Sequence, residues 1–130
     1  MRLTVMTLFV HDQDEAVRFF VDRLGLVVSE DSRMGDYRWL LVRAPGTPDV
    51  AINLERAMTA DQRALVGKQG GGKALFGFVT DDCRRDFRAM QARGVTFEGE
   101  PEAMPFGVGV MLHDLYGNKM YLCEEARGND

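Results

Sequence analysis

The chain has 130 residues, 45% of them apolar, a formal net charge of −4 and a pI near 5.2. That is the length of one domain, enough to bury roughly two-thirds of the unfolded surface. The acidic balance argues against a nucleic-acid binder, which would show a basic face, and no apolar run approaches the roughly 18 residues of a membrane span. MRLTVMTLFV at the N-terminus carries no signal-peptide cleavage site. Cys83 and Cys123 show neither CxxC nor zinc spacing and read as buried thiols of a cytoplasmic protein.

Residues 3–10, LTVMTLFV, are apolar and β-branched enough for a strand with Val5, Thr7 and Phe9 on one face. Asp12 is a good N-cap, with Glu15 as capping-box partner. The helix it starts puts Ala16, Val17, Phe20, Val21 and Leu24 on one stripe, and Gly25 suits the left-handed residue that ends it. Residues 26–28 make a short strand, 33–36 a turn, 37–43 a second strand. Pro45 to Pro48 break the chain before a third strand at 49–55. A short helix is expected from a Thr59 cap to Val66. GKQGGGK, 67–73, matches GxxxxGK by letter, but Ala74 replaces the magnesium-binding Ser or Thr and a strand follows, so it reads as a flexible join.

The second half repeats the first. Slid by 69 positions, Phe9-Val10-x-Asp12 falls on Phe78-Val79-x-Asp81, and Gly25-Leu26-x-Val28 on Gly94-Val95-x-Phe97. A strand at 74–79 leads to a helix capped by Asp81 or Asp82, with Cys83, Phe87 and Met90 apolar at helical spacing. Gly94 ends it. Strands follow at 95–97, 108–113 and 119–124, with a loop at 101–105, a turn at 114–118 and a frayed tail at 127–130. Two copies of this length indicate a duplicated supersecondary unit, since a solenoid needs at least three. Module 1 spans about 3–56, a linker about 57–73, module 2 about 74–125.

Two βαβββ modules, with V-x-D before each first helix, L-G or R-G after it and D-x-x-G-N before the last strand, resemble the vicinal oxygen chelate superfamily. That group includes glyoxalase I, extradiol dioxygenases, and fosfomycin- and bleomycin-resistance proteins. The resemblance covers Leu3 to about Glu124. It implies an α+β fold in which two tandem βαβββ modules form a cup-shaped sheet, a binding site in the cup, and a homodimer. Metal-using members carry His, Gln or Glu at four places, which hold Val5, Asn53, Ala74 and Tyr121 here. Val and Ala cannot bind a cation, Asn offers one neutral oxygen, and Tyr is protonated at neutral pH. Divalent sites usually take three or more imidazole, thiolate or carboxylate ligands. No metal or other cofactor is therefore expected.

The two histidines, His11 and His113, each precede an Asp at a strand end and read as rim residues. Glu98, Glu100 and Glu102 read as a solvated loop. If Val5 and Ala74 face inward, alternation adds Thr7, Phe9, Phe76 and Phe78 to the inner faces, together with Asn53 and Tyr121. Trp39 would wall the first module, Glu55 shares a face with Asn53, and Met104 and Phe106 lie in the loop leading to the corresponding strand of the second. The expected ligand site is thus Thr7, Phe9, Trp39, Asn53, Glu55, Phe76, Phe78, Phe106 and Tyr121, an apolar wall with few directing polar groups. The same side chains would also suit a filled core. No Ser-His-Asp or Cys-His arrangement is legible, and no catalytic residue is assigned.

The leading function is metal-independent binding of a small, partly apolar or aromatic molecule. The alternatives are a glyoxalase-like lyase, isomerase or dioxygenase with a displaced metal site built on Glu55 and a histidine, and a structural or regulatory protein with a filled cup.

Overall fold

The computed structural model describes residues 1–125; the tail 127–130 lies outside the described residues. The chain forms two compact units, residues 1–69 and residues 70 onward. Each builds its own α+β module, and both follow the βαβββ pattern.

In the first unit β1 (Val5–Val10) leads to α1 (Gln13–Val17). Strands β2 (Val27–Met34), β3 (Tyr37–Arg43) and β4 (Ala51–Arg56) follow, and the sheet order is β1-β4-β3-β2. β1 lies parallel to β4, whereas β3 runs antiparallel to both its neighbours. Asp12 caps α1 by accepting from the Glu15 amide at 2.8 Å. The expected single helix changes character after Val17. Arg18–Arg23 is a π-helical turn, in which the Leu24 amide reaches back five residues to Phe19 O at 3.1 Å. That turn rotates Phe19 into the core beside Ala16, Phe20 and Leu24, and leaves Val17 and Val21 half-buried. Gly25, at φ 88°, ends the segment, with Leu26 N–H donating to Phe20 O at 2.9 Å as in a Schellman cap.

Leu8, Val10, Leu40, Val42, Ile52 and Leu54 supply the sheet side of this core, each 5% exposed or less. Burial of a side chain of this kind stabilises by about 1.5–3 kcal/mol. β2 runs well past the three residues expected of it, to Met34, and takes up the first half of the turn expected at 33–36. Its polar stretch Ser29 to Arg33 has no alternation to read because all eight residues of this edge strand are exposed. A two-residue Gly35-Asp36 loop closes the β2–β3 hairpin, with Gly35 alone at positive φ (61°), the II′ pattern.

α2 (Ala60–Leu65) starts with the full Thr59/Gln62 capping box. The join after it is less free than its glycines suggested. The side chain of Gln69 acts as a short strand on the open edge of β1. Phe9 N–H donates to Gln69 Oε1 at 2.6 Å, and Gln69 Nε2 donates to Thr7 O at 3.1 Å.

In the second unit β5 (Ala74–Val79) leads to α3 (Cys83–Ala92), capped by Asp82, whose side chain accepts from the Arg85 amide at 3.0 Å. β6 (Thr96–Phe97), β7 (Glu102–Met104), β8 (Gly107–His113) and β9 (Lys119–Glu125) complete a sheet of order β5-β9-β8-β6, with β7 on the other part of β8. The loop expected at 101–105 therefore contains a strand. β6 and β7 together match β2, interrupted at Gly99 (φ 85°) and at Pro101, which has no amide to donate. The acidic run is only partly solvated loop. Glu98 accepts from His113 Nε2 at 2.9 Å and pairs with Lys119 Nζ at 3.4 Å, and Glu102 belongs to β7. The D-x-x-G-N segment is a turn built on Asp114, which is 6% exposed. Its carboxylate accepts from the amides of Tyr116 and Asn118 and from Asn118 Nδ2.

The two modules are not related by a gapless shift. β1 and β5 begin 69 residues apart, at Val5 and Ala74, and Gly25 and Gly94 are also 69 apart, but the caps Asp12 and Asp82 are 70 apart. Module 2 inserts one residue as a β-bulge at Leu75, where Ala74 pairs with Lys119 and Phe76 with Met120. Module 1 inserts one in its π turn. The two insertions cancel at the glycines.

Candidate functional site

In the first unit, register places Val5 beside Ala51, Thr7 beside Asn53, Phe9 beside Glu55 and Leu41 beside Asn53. In-register residues share a face and alternate residues return to it. Thr7, Phe9, Asn53 and Glu55 therefore lie on the sheet face opposite the α1 core, and Tyr37, Trp39 and Leu41 of β3 join them. This face has a polar centre. Asn53 Nδ2 donates to Glu55 Oε2 at 2.9 Å, and Tyr37 OH donates to the same oxygen at 2.8 Å. The hydrogen bond to Glu55 holds the Tyr37 phenol above its ordinary pKa and so keeps it a donor. Asn53 is 4% exposed, and its Oδ1 has no partner among the described residues. Trp39 is half-buried and donates from Nε1 to Glu30 Oε2 at 2.7 Å. At the end of the sheet Glu55 and Tyr37 border a cavity of about 140 Å³, otherwise lined by Gln13, Arg33, Asp36, Arg38, Arg56 and Met58.

Tyr37 and Glu30 were missed in sequence. Tyr37 could have been found from its alternation with Trp39, whereas Glu30 lay in a strand with no apolar pattern.

In the second unit the bulge at Leu75 reverses the expected facing. Ala74, Gly77 and Val79 share a face with Lys119, Tyr121 and Cys123, while Phe76 and Phe78 pair with the buried Met120 and Leu122. Phe76 and Phe78 thus do not stand on the face of Tyr121. Their rings pack edge to face at 5.7 Å on the core side. Tyr121 lies across Gly109, where a Cβ would overlap its hydroxyl, and Gly77 leaves room on its other flank. Phe106, half exposed, tilts against Tyr121 with centroids 6.0 Å apart. Burial raises the Tyr121 phenol above its usual value.

Neither thiol is activated. Desolvation pushes Cys83 up to about 11 and also raises Cys123. His113 is engaged with Glu98, whose carboxyl that contact draws below its ordinary range.

The four places where metal-using relatives carry ligands lie on these same faces, Val5 and Asn53 in one unit, Ala74 and Tyr121 in the other. They do not fit a divalent ion. Two are hydrocarbon, the Tyr121 phenol is biased toward its neutral form, and the Asn53 amide is turned toward a carboxylate. Among the described residues no three His, Cys, Asp or Glu side chains are grouped to hold a metal.

Paired βαβββ modules with an open aromatic and polar sheet face define a protein of the vicinal oxygen chelate type. The family model for the Glyoxalase/Bleomycin resistance protein/Dioxygenase superfamily matches residues 2–122, and the chain belongs to that superfamily. It is 36% identical over 115 residues to an uncharacterized protein of Shewanella frigidimarina, covering 87% of this chain and 85% of that one. Among solved structures it is similar to UcmS2, at 30% identity and TM-score 0.84, with 95% of this chain and 97% of that chain covered. It is also similar to TnmS3, an antibiotic binding protein from Streptomyces sp. CB03234, at 27% identity and TM-score 0.78, with 97% of each chain covered. No helix among the described residues is long and apolar enough to cross a membrane.

Proposed function

We propose that this protein binds a small, partly apolar or aromatic molecule without a resident metal, on the sheet face that carries Thr7, Phe9, Trp39, Asn53 and Glu55. The observation that carries this reading is the Asn53–Glu55–Tyr37 cluster. At a position where metal-using relatives place a ligand, this chain holds an amide fixed by its neighbours, and aromatic walls stand on both sides. A few directed polar groups among apolar walls is the usual composition of a small-molecule site. Similarity to an antibiotic binding protein supports the reading of this chain as a binding protein. In the second unit, Tyr121 lies against Phe106 and over Gly109 on a face of its own. We read the protein as a cytoplasmic homodimer.

Replacement of Trp39 by Ala tests the placement. Binding of planar aromatic compounds found by thermal-shift screening should weaken by roughly 1–3 kcal/mol, the value of the lost apolar burial. Unchanged binding, with a loss of several kcal/mol in folding stability instead, would make Trp39 a core residue.

A further inference from the structure

The outer flank of α3 carries charges that a helix does not favour. Arg84, Phe87, Arg88 and Gln91 stand at i, i+3, i+4 and i+7 and so share one face. Arg84 lies in the first turn, where the helix dipole disfavours a cation, and it meets a second cation one turn on at Arg88, a repulsive spacing. Arg85 occupies the same first turn but is neutralised by Asp81 at 2.6 Å and Asp86 at 3.1 Å. The guanidiniums of Arg84 and Arg88 have no hydrogen bond or ion pair among the described residues. Other acids close by are committed. Asp82 caps the helix through the Arg85 amide, Glu98 takes His113 and Lys119, and Glu124 accepts from the Cys83 amide at 2.9 Å.

The two arginines border a cleft of about 340 Å³ between α3 and the β6–β7 connection, lined by Arg84, Phe87, Arg88, Gln91, Glu100 and Pro101. That volume is within the range of small-molecule sites. Phe87, 7% exposed and set against the Phe97 ring at 4.7 Å, gives the cleft an apolar floor together with Pro101. The polar wall of Arg84, Arg88 and the Gln91 amide can donate throughout. Glu100 is the single carboxylate, so two guanidiniums against it leave one positive charge unbalanced. Phe97 pairs with the buried Leu112, whereas Tyr121 pairs with Met111, so the cleft lies on the helix side of the sheet and away from the Tyr121 face.

We propose that this cleft binds a small organic carboxylate, with its oxyanion on Arg84 and Arg88 and its apolar body on Phe87 and Pro101. A guanidinium presents paired N–H donors that match a carboxylate, and charge-assisted hydrogen bonds of that kind are the strong ones. A monocarboxylate matches the single unbalanced charge. It also relieves the repulsion between two arginines that are otherwise an uncompensated cost to the helix.

The test is a titration of the isotope-labelled full chain with phenylacetate, phenylethanol and phenethylamine, followed at the amide resonances of Arg84, Arg88 and Glu100. Phenylacetate should shift all three saturably and bind about tenfold tighter than the alcohol or the amine. Arg84→Gln and Arg88→Gln should each abolish that preference, yet unfold at or above the temperature of the parent chain, because each removes a repulsive pair. Glu100→Gln takes away the competing carboxylate and should tighten phenylacetate binding about threefold. Equal binding of phenylethanol, a preference that survives in either arginine variant, or no saturable shift at these amides up to about 10 mM overturns the carboxylate assignment. A loss of thermal stability in both arginine variants overturns it as well, since the pair would then serve the fold.

Discussion

Gly109 shows how a residue with no side chain can shape a surface. A Cβ at this position would overlap the Tyr121 hydroxyl and crowd its ring, so the glycine is what lets the phenol lie flat along β8. Gly109→Ala must either displace Tyr121 or strain β8, and overpacking of this kind costs about 1–3 kcal/mol. Chemical denaturation should show that loss, and the ring-proton shifts of Tyr121 and Phe106 should move together, since the two rings are 6.0 Å apart. A variant of native stability with unmoved shifts would mean that the phenol does not lie over this position in solution. On the other sheet, Asn53 is the complementary case, a side chain whose identity was readable from its place in the repeat but whose orientation depends on a neighbour two residues along.

Among the elements, the join between the modules departs most from a free linker. Gln69 mimics a strand on the edge of β1, accepting from Phe9 N–H and donating to Thr7 O. An open strand edge invites pairing with another chain, and a side-chain clasp blunts it. Gln69→Glu keeps the acceptor and removes the donor, so it should cost about 1 kcal/mol. Gln69→Ala removes both and should also release the Phe9 amide to fast hydrogen exchange. Slow exchange of that amide in Gln69→Ala would show that the clasp is not what protects it.

The elements also show what could and could not be read from residue order. Caps were legible because Asp12, Thr59, Asp82, Gly25 and Gly94 act through local backbone geometry. The extent of β2 was not, since both faces of that edge strand are wet and its polar stretch carries no periodicity. The facing of Phe76 and Phe78 was misread for a different reason. A gapless 69-residue repeat equates them with Thr7 and Phe9, but the bulge at Leu75 and the π turn after Val17 are one-residue insertions in opposite modules that cancel by the next glycine. In a strand with a period of two, a single unseen residue exchanges the two faces. The first unit, free of a bulge in β1 and β4, kept the alternation on which Thr7, Phe9, Asn53 and Glu55 were grouped.

For the whole molecule, the fold is that of the glyoxalase and bleomycin-resistance superfamily, and that fold hosts both metal enzymes and binding proteins, so function has to be argued from the site. Here the residues at the family's ligand positions are Val5, Asn53, Ala74 and Tyr121, and Asn53 belongs to an amide–carboxylate–phenol cluster on an aromatic face. The sequence holds a single tryptophan, Trp39, and it stands on that face, so its emission reports on the site without labelling. The most direct test is a titration of Trp39 fluorescence with a non-fluorescent planar aromatic compound found by thermal-shift screening, run on EDTA-treated protein and again after loading with Mn, Fe, Ni or Zn. We predict the same saturable change with the same midpoint in every sample, and no metal retained after desalting. Binding confined to a metal-loaded sample, with close to one equivalent of metal held per chain, would contradict metal-independent binding and return the protein to the metal-dependent branch of its superfamily.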